Sequence, residues 1–195
     1  MLLDANILGR KFNEGLPYAD FVVEAEAQGY RGPWDQRYQQ LALDEEAQTL
    51  VRSFNRRLNM LCLTGMWCGD CALQGSAMAR IAEASPLIEL RFLPRNETHA
   101  ELIVKAQING GFRVPVTWFL AEDFEPVAVF GDRTLSRYRA MARKQLPPQH
   151  TNVLAPPPAD PVGEVLREVL EMVERVELLL TLSPRLSQKH TQEVH

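Results

Sequence analysis

The sequence predicts an α/β domain with helical additions at both ends. Three observations lead there. Strand and helix patterns alternate as β-α-β-α-β across residues 58–120, two helical patterns precede that run, and a proline-rich stretch followed by a long amphipathic pattern closes the chain. With 195 residues, 46% of them hydrophobic and 24% charged, the chain can bury a core of ordinary size.

The elements follow in order. Pro17 precedes residues 18–28, where Phe21, Val22, Ala25 and a closing Gly29 fit a short helix. Residues 33–57 set Tyr38, Leu41, Ala42, Leu50, Val51 and Phe54 near helical spacing, with Glu45, Glu46 and Arg52 on the other face, which predicts one longer helix. Residues 58–64 are apolar and uncharged and end at Gly65, as a buried strand does. A helix then begins inside Trp67-Cys68-Gly69-Asp70-Cys71 and runs to about residue 84. Residues 87–93 alternate as a strand, 99–108 read as a helix closed by Asn109-Gly110-Gly111, and 114–120 form a β-branched and aromatic strand that begins at a proline. A turn at 122–126, a short strand at 127–130 and a helix at 134–144 with a basic last turn complete the core.

Residues 147–161 hold six of the thirteen prolines and read as an extended linker. The expected division is therefore 1–57 as an N-terminal helical extension, 58–146 as the α/β domain, 147–161 as linker and 162–195 as a C-terminal helix and tail. In the last part Val162, Val165, Leu166, Val169, Leu170, Val173, Val176, Leu179 and Leu180 trace an apolar face that stops near Pro184, with 187–195 as a loose tail. That face can pack on the chain's own core or on a second copy, so a homodimer through this helix stays open.

Charge and cysteine content narrow the function classes. Twenty-one Lys and Arg against twenty-five Asp and Glu leave a formal charge of −4 without a long basic block, which argues against a nucleic-acid partner. No apolar run is long enough to span a bilayer, and the start lacks the basic and apolar regions of a signal peptide. Three cysteines do not make a disulfide framework, so the expected setting is reducing and cytoplasmic.

Cys68-Gly69-Asp70-Cys71 is a C-x-x-C pair at a strand-to-helix junction inside a βαβ pattern, the context that makes this spacing a redox motif. In the first turn of a helix the two sulfurs lie close enough to bridge. The free N–H groups and the helix dipole favour a thiolate on Cys68, the expected nucleophile. Cys71, one turn further in, is placed to attack a mixed disulfide and release the product. No second C-x-x-C or paired histidine accompanies them, so no metal site is expected.

The chain resembles the thioredoxin family at three landmarks in order: Trp67-Cys68-Gly69-Asp70-Cys71, the segment Arg113-Val114-Pro115-Val116-Thr117, and Gly131 sixteen positions beyond Pro115. With the stretch 91–98 and Asn109 to Pro115 it is similar to a bacterial thioredoxin-like subfamily with extra terminal helices. The resemblance covers roughly residues 58–144. It implies a central mixed sheet flanked by helices, a cis Pro115 beside the cysteines, a Val114 backbone free to pair with a substrate strand, and Trp67 flanking the nucleophile. It also implies thiol–disulfide exchange without a bound cofactor. The substrate would be a disulfide-containing protein or low-molecular-weight thiol compound, and the electrons would come from a reductase or thiol.

Two departures stand out. Asp70 replaces the proline of the commonest motif and should oppose a thiolate on Cys68. Cys62 occupies the strand position, six before Cys68, where thioredoxins keep a buried acid, and reads as a small buried hydrophobe. Arg133, Arg137, Arg139, Arg143 and Lys144 read as a solvated helix face, with an anion-recognition patch as the alternative. Arg113, two residues before Pro115, is a candidate for choosing acidic substrates or supporting the thiolate. The competing reading for the whole chain is a thioredoxin-shaped adaptor in which redox chemistry is secondary or absent.

Overall fold

The strand β1 (Leu58–Thr64) is buried along its whole length, and its side chains alternate between two cores. Leu58, Met60 and Cys62 enter the larger core, whereas Leu61 and Leu63 enter the smaller one, as the two-residue period of a strand requires. Apolar on both faces, β1 needs cover on both and lies inside the sheet. β2 (Ile88–Pro94) pairs with it in parallel, β3 (Val116–Leu120) pairs antiparallel on its other side, and β4 (Pro126–Gly131) forms the edge antiparallel to β3. The resulting mixed sheet has the order β2-β1-β3-β4. The computed structural model describes residues 3–150 and 155–193.

The smaller core is closed by α1 (Ala5–Glu14), through Leu8 and Phe12, and by α6 (Ala100–Lys105), through Leu102. The larger core is closed by α2 (Tyr18–Ala27), α3 (Arg31–Gln40), α4 (Glu45–Arg52), α5 (Gly69–Glu83) and α8 (Pro161–Thr181). α7 (Leu135–Gln145) follows β4, and α9 (Pro184–Glu193) ends the described chain. No helix among the described residues is long and apolar enough to cross a membrane.

Four expectations are corrected. Residues 33–57 form two helices, not one: Leu41 turns extended so that its side chain enters the core, and the Asp44 carboxylate accepts the Ala47 N–H at 2.8 Å to start α4. α1 is an additional helix within the expected N-terminal helical extension, ahead of the two helical patterns read there. Asp4 caps it through the Ile7 N–H at 3.0 Å, and beyond it Leu16 exchanges backbone hydrogen bonds with Phe92 at the edge of β2. The helix expected over 99–108 is shorter, a 3-10 turn at Glu97–His99 leading into α6, and the chain then turns through Asn109 and Gly110, both at positive φ. The expected loose tail is helical as far as residue 193. Pro184 fills the first position of α9, Ser183 accepts the Leu186 N–H at 3.4 Å, and Leu186 enters the larger core.

Residues 148–150 of the expected linker form a 3-10 turn, and 151–154 lie outside the described residues. The apolar face of α8 packs on the chain's own core, with Val165, Val169, Val173, Val176 and Leu180 buried.

Candidate active site

The site forms where β1 ends. The chain leaves the sheet at Gly65, and α5 begins at Gly69 with Cys68 as its N-cap. The Cys68 sulfur takes the place of the usual capping oxygen and accepts the Cys71 N–H at 3.3 Å. Cys71, one turn inside and buried, receives the Gly65 N–H at 3.4 Å. All three cysteines are free thiols.

The two motif cysteines are electrostatically unequal. Cys68 is lowered from an ordinary value near 9.0 to about 6, chiefly because the Cys71 thiol donates to it; burial opposes the shift, and the N–H groups of Cys71 and Asp70 reinforce it. The Asp70 carboxylate pushes the other way, as the sequence suggests, but is the weakest of these influences. Cys71 is raised well above the ordinary value by burial, and by the hydrogen bond and charge of Cys68.

Asp70 is only 9% exposed and is held by two guanidiniums, Arg133 Nε on Oδ2 and Arg137 Nε on Oδ1, each at 2.7 Å. Arg133 also reaches Asp132 at 2.9 Å, and Arg113 reaches the same carboxylate oxygen at 3.3 Å. Burial acts against ionisation of Asp132, but hydrogen bonds from Tyr138 and Arg113 and the charge of Arg133 hold it below the usual carboxylate range. The helix face expected to be solvated is thus partly an ion-pair network reaching into the C-x-x-C motif.

The Val114–Pro115 peptide is cis, and the Val114 carbonyl oxygen lies 3.9 Å from the Cys68 sulfur. Gly131 permits this packing, since a Cβ there would fall 2.5 Å from the Pro115 carbonyl oxygen. Trp67 is 53% exposed beside the nucleophile. Cys62 is fully buried across from Thr117 on β3, and burial pushes its thiol up to about 12. Among the described residues no cluster of His, Cys, Asp or Glu is placed to hold a metal ion.

A family model described as thioredoxin matches residues 15–144, two thirds of the chain. The chain belongs to the thioredoxin family. Family membership makes thiol–disulfide exchange the chemistry to which this fold and motif are related. The matched span takes in α2, α3 and α4, which the resemblance at the sequence level left outside. Two solved structures share the fold of this thioredoxin-family chain: a protein of unknown function from Pseudomonas aeruginosa, 22% identical with a TM-score of 0.64, covering 85% of this chain and 93% of its own, and an HIV epitope scaffold, 20% identical with a TM-score of 0.60, covering 86% and 95%. None of the curated proteins matches the chain.

Two thioredoxin-site neighbours escaped the sequence reading. Trp34, fully buried on α3, donates its indole N–H to the Met66 carbonyl at 2.9 Å and so ties an N-terminal helix to the loop before Cys68. Thr64 is also fully buried; its hydroxyl makes no hydrogen bond of normal geometry, yet it is near enough to Cys71 to favour the thiolate. A tryptophan in a polar helix and a threonine ending a strand carry no sequence mark of either role.

Proposed function

We propose that the protein is a thiol–disulfide oxidoreductase working in the reducing direction in a cytoplasmic setting. The observation that carries this reading is the inequality of the pair: Cys68 sits at the helix start with its thiolate favoured to about 6, while Cys71 is buried and holds its proton. The Cys68 thiolate attacks a substrate disulfide and forms a mixed disulfide, with the substrate lying along Val114 and Pro115 and against Trp67 and Gly69. Cys71 then loses its proton and attacks the Cys68 sulfur, which releases the second substrate thiol and leaves a Cys68–Cys71 disulfide. Asp70 and Arg113 shape the charge around this exchange. A reductase or small thiol restores the dithiol.

Trapping tests the assignment. Cys71→Ser should accumulate mixed disulfides on Cys68 that Cys68→Ser does not form, and differential alkylation of the wild type should show a reversible Cys68–Cys71 disulfide. A pair that stays reduced against disulfide couples of about −120 to −270 mV would leave the adaptor reading in its place.

A further inference from the structure

We infer that the cleft beside Gly69 holds the carboxylate-bearing half of a low-molecular-weight disulfide, so that anionic disulfides are the preferred substrate class. The inference rests on the oxidoreductase reading above and concerns the same site. A cavity of about 400 Å³ opens at the first turn of α5, lined by Gly69, Asp70, Leu73, Arg37, Arg137 and Pro161 among others. Gly69 directly follows Cys68, and a Cβ added to it would meet nothing within 4 Å, so the cleft is open at this residue. A second cavity of about 260 Å³ shares Arg137 and Pro161 and is lined by Arg143. Its Nη2 is buried without a hydrogen-bond partner.

The charge balance of this cleft runs against that of the chain. The whole protein carries −4, yet three arginines line the two cavities against one carboxylate, Asp70. Asp70 is already matched by Arg133 and Arg137. Arg37 forms no ion pair among the described residues and donates only to Gln40, at 2.8 Å. Asp160, beside Pro161, is engaged in capping the Val162 and Gly163 N–H groups of α8. A guanidinium without a carboxylate partner and a buried guanidinium nitrogen without an acceptor suit an incoming carboxylate, which offers two oxygens to a planar fork.

The exchange needs no added reductant in a single turnover. The Cys68 thiolate forms a bond to one substrate sulfur as the substrate S–S bond breaks, and the first thiolate leaves and is protonated by solvent. Cys71 then gives its proton to solvent, bonds to the Cys68 sulfur and expels the second thiolate. The pair is oxidised by two electrons and the disulfide reduced by two.

The test uses the reduced full-length protein and three disulfides of similar size: dithiodipropionate, which is anionic, hydroxyethyl disulfide, which is neutral, and cystamine, which is cationic. Each rate of protein thiol loss is divided by the rate of the same disulfide with dithiothreitol, to remove intrinsic reactivity. The anion should react about tenfold faster than the neutral compound, with the cation slowest. Arg37→Gln should bring the anion-to-neutral ratio to within about threefold, and Arg37→Lys should restore part of it. A ratio near one in the wild type, or one untouched by Arg37→Gln, overturns the substrate inference alone. Failure of all three disulfides to oxidise the pair overturns the oxidoreductase reading and this inference together.

Discussion

At the scale of single residues, a carboxylate in the middle of the motif is tolerated because Arg133 and Arg137 hold it, so its charge reaches the Cys68 sulfur already matched. Asp70→Asn removes the opposing charge and frees Arg137 from its ion pair, while Arg133 keeps Asp132, and both effects favour the thiolate. The inflection of Cys68 alkylation by iodoacetamide should therefore fall below its expected position near pH 6, by less than about one unit. The same shift links to stability. A thiol whose folded value is depressed from near 9.0 to about 6 stabilises the reduced fold fully above pH 9 and loses that contribution as pH falls through 6. Denaturant titrations of the reduced protein at pH 5 and pH 8 should show greater stability at pH 8. Thr64 divides stability from chemistry. Its buried hydroxyl lacks a normal hydrogen bond, so Thr64→Val should raise stability by up to about 1 kcal/mol. It should also prolong the mixed disulfide on Cys68, because the Cys71 thiolate loses the Thr64 hydroxyl that favours it, and quenched-flow mass spectrometry can follow that lifetime.

At the scale of elements, the joint between α3 and α5 decides how firmly the motif loop is held. Gly75 faces the Trp34 ring so closely that an added Cβ would lie 2.5 Å from it. Alanine would improve helix propensity by about 1 kcal/mol, but overpacking a core costs about 1–3 kcal/mol, and the ring cannot retreat without giving up its bond to the Met66 carbonyl. Gly75→Ala should therefore lower stability on balance, as urea denaturation would show, and slow Cys68 alkylation. The same joint explains what was legible beforehand. β1, β3 and α5 announce themselves by apolar runs and by cysteines at a helix start, and Pro115 and Gly131 by their place in the resemblance to thioredoxins. α1 carries a polar, glycine-containing sequence whose fold depends on Leu8 and Phe12 meeting the sheet, a tertiary fact. The break between α3 and α4 falls where Leu41 is drawn into the core, which periodicity alone cannot distinguish from a helical Leu. The partners of Asp70 were visible as a basic run, but nothing in their spacing aims them at a residue more than sixty positions earlier.

At the scale of the whole molecule, the C-terminal helix is built into the larger core and tied to the sheet's entrance by a buried acid. Glu177 is buried on α8, and its Oε1 accepts the backbone N–H groups of Asn55 and Arg56, each at 2.8 Å, just before β1. Both donors belong to the link between α4 and β1, so the arm supplies the acceptor for two backbone groups of that link. Its other oxygen, Oε2, is buried without a partner, which makes the carboxylate an incompletely satisfied group and limits what it adds. Two opposed effects thus follow from Glu177→Ala. Removing a buried, half-satisfied carboxylate is favourable, while orphaning two backbone donors costs about 1–3 kcal/mol each when they stay dry. The second should prevail, since two strong donors are lost against one oxygen, and the net loss should be about 1–3 kcal/mol in urea denaturation. Glu177→Gln separates the terms. Its amide oxygen can still accept both N–H groups, so its loss should be smaller than that of alanine. Equal losses for alanine and glutamine would show that the negative charge, rather than the acceptor oxygen, joins the arm to the entrance of the sheet.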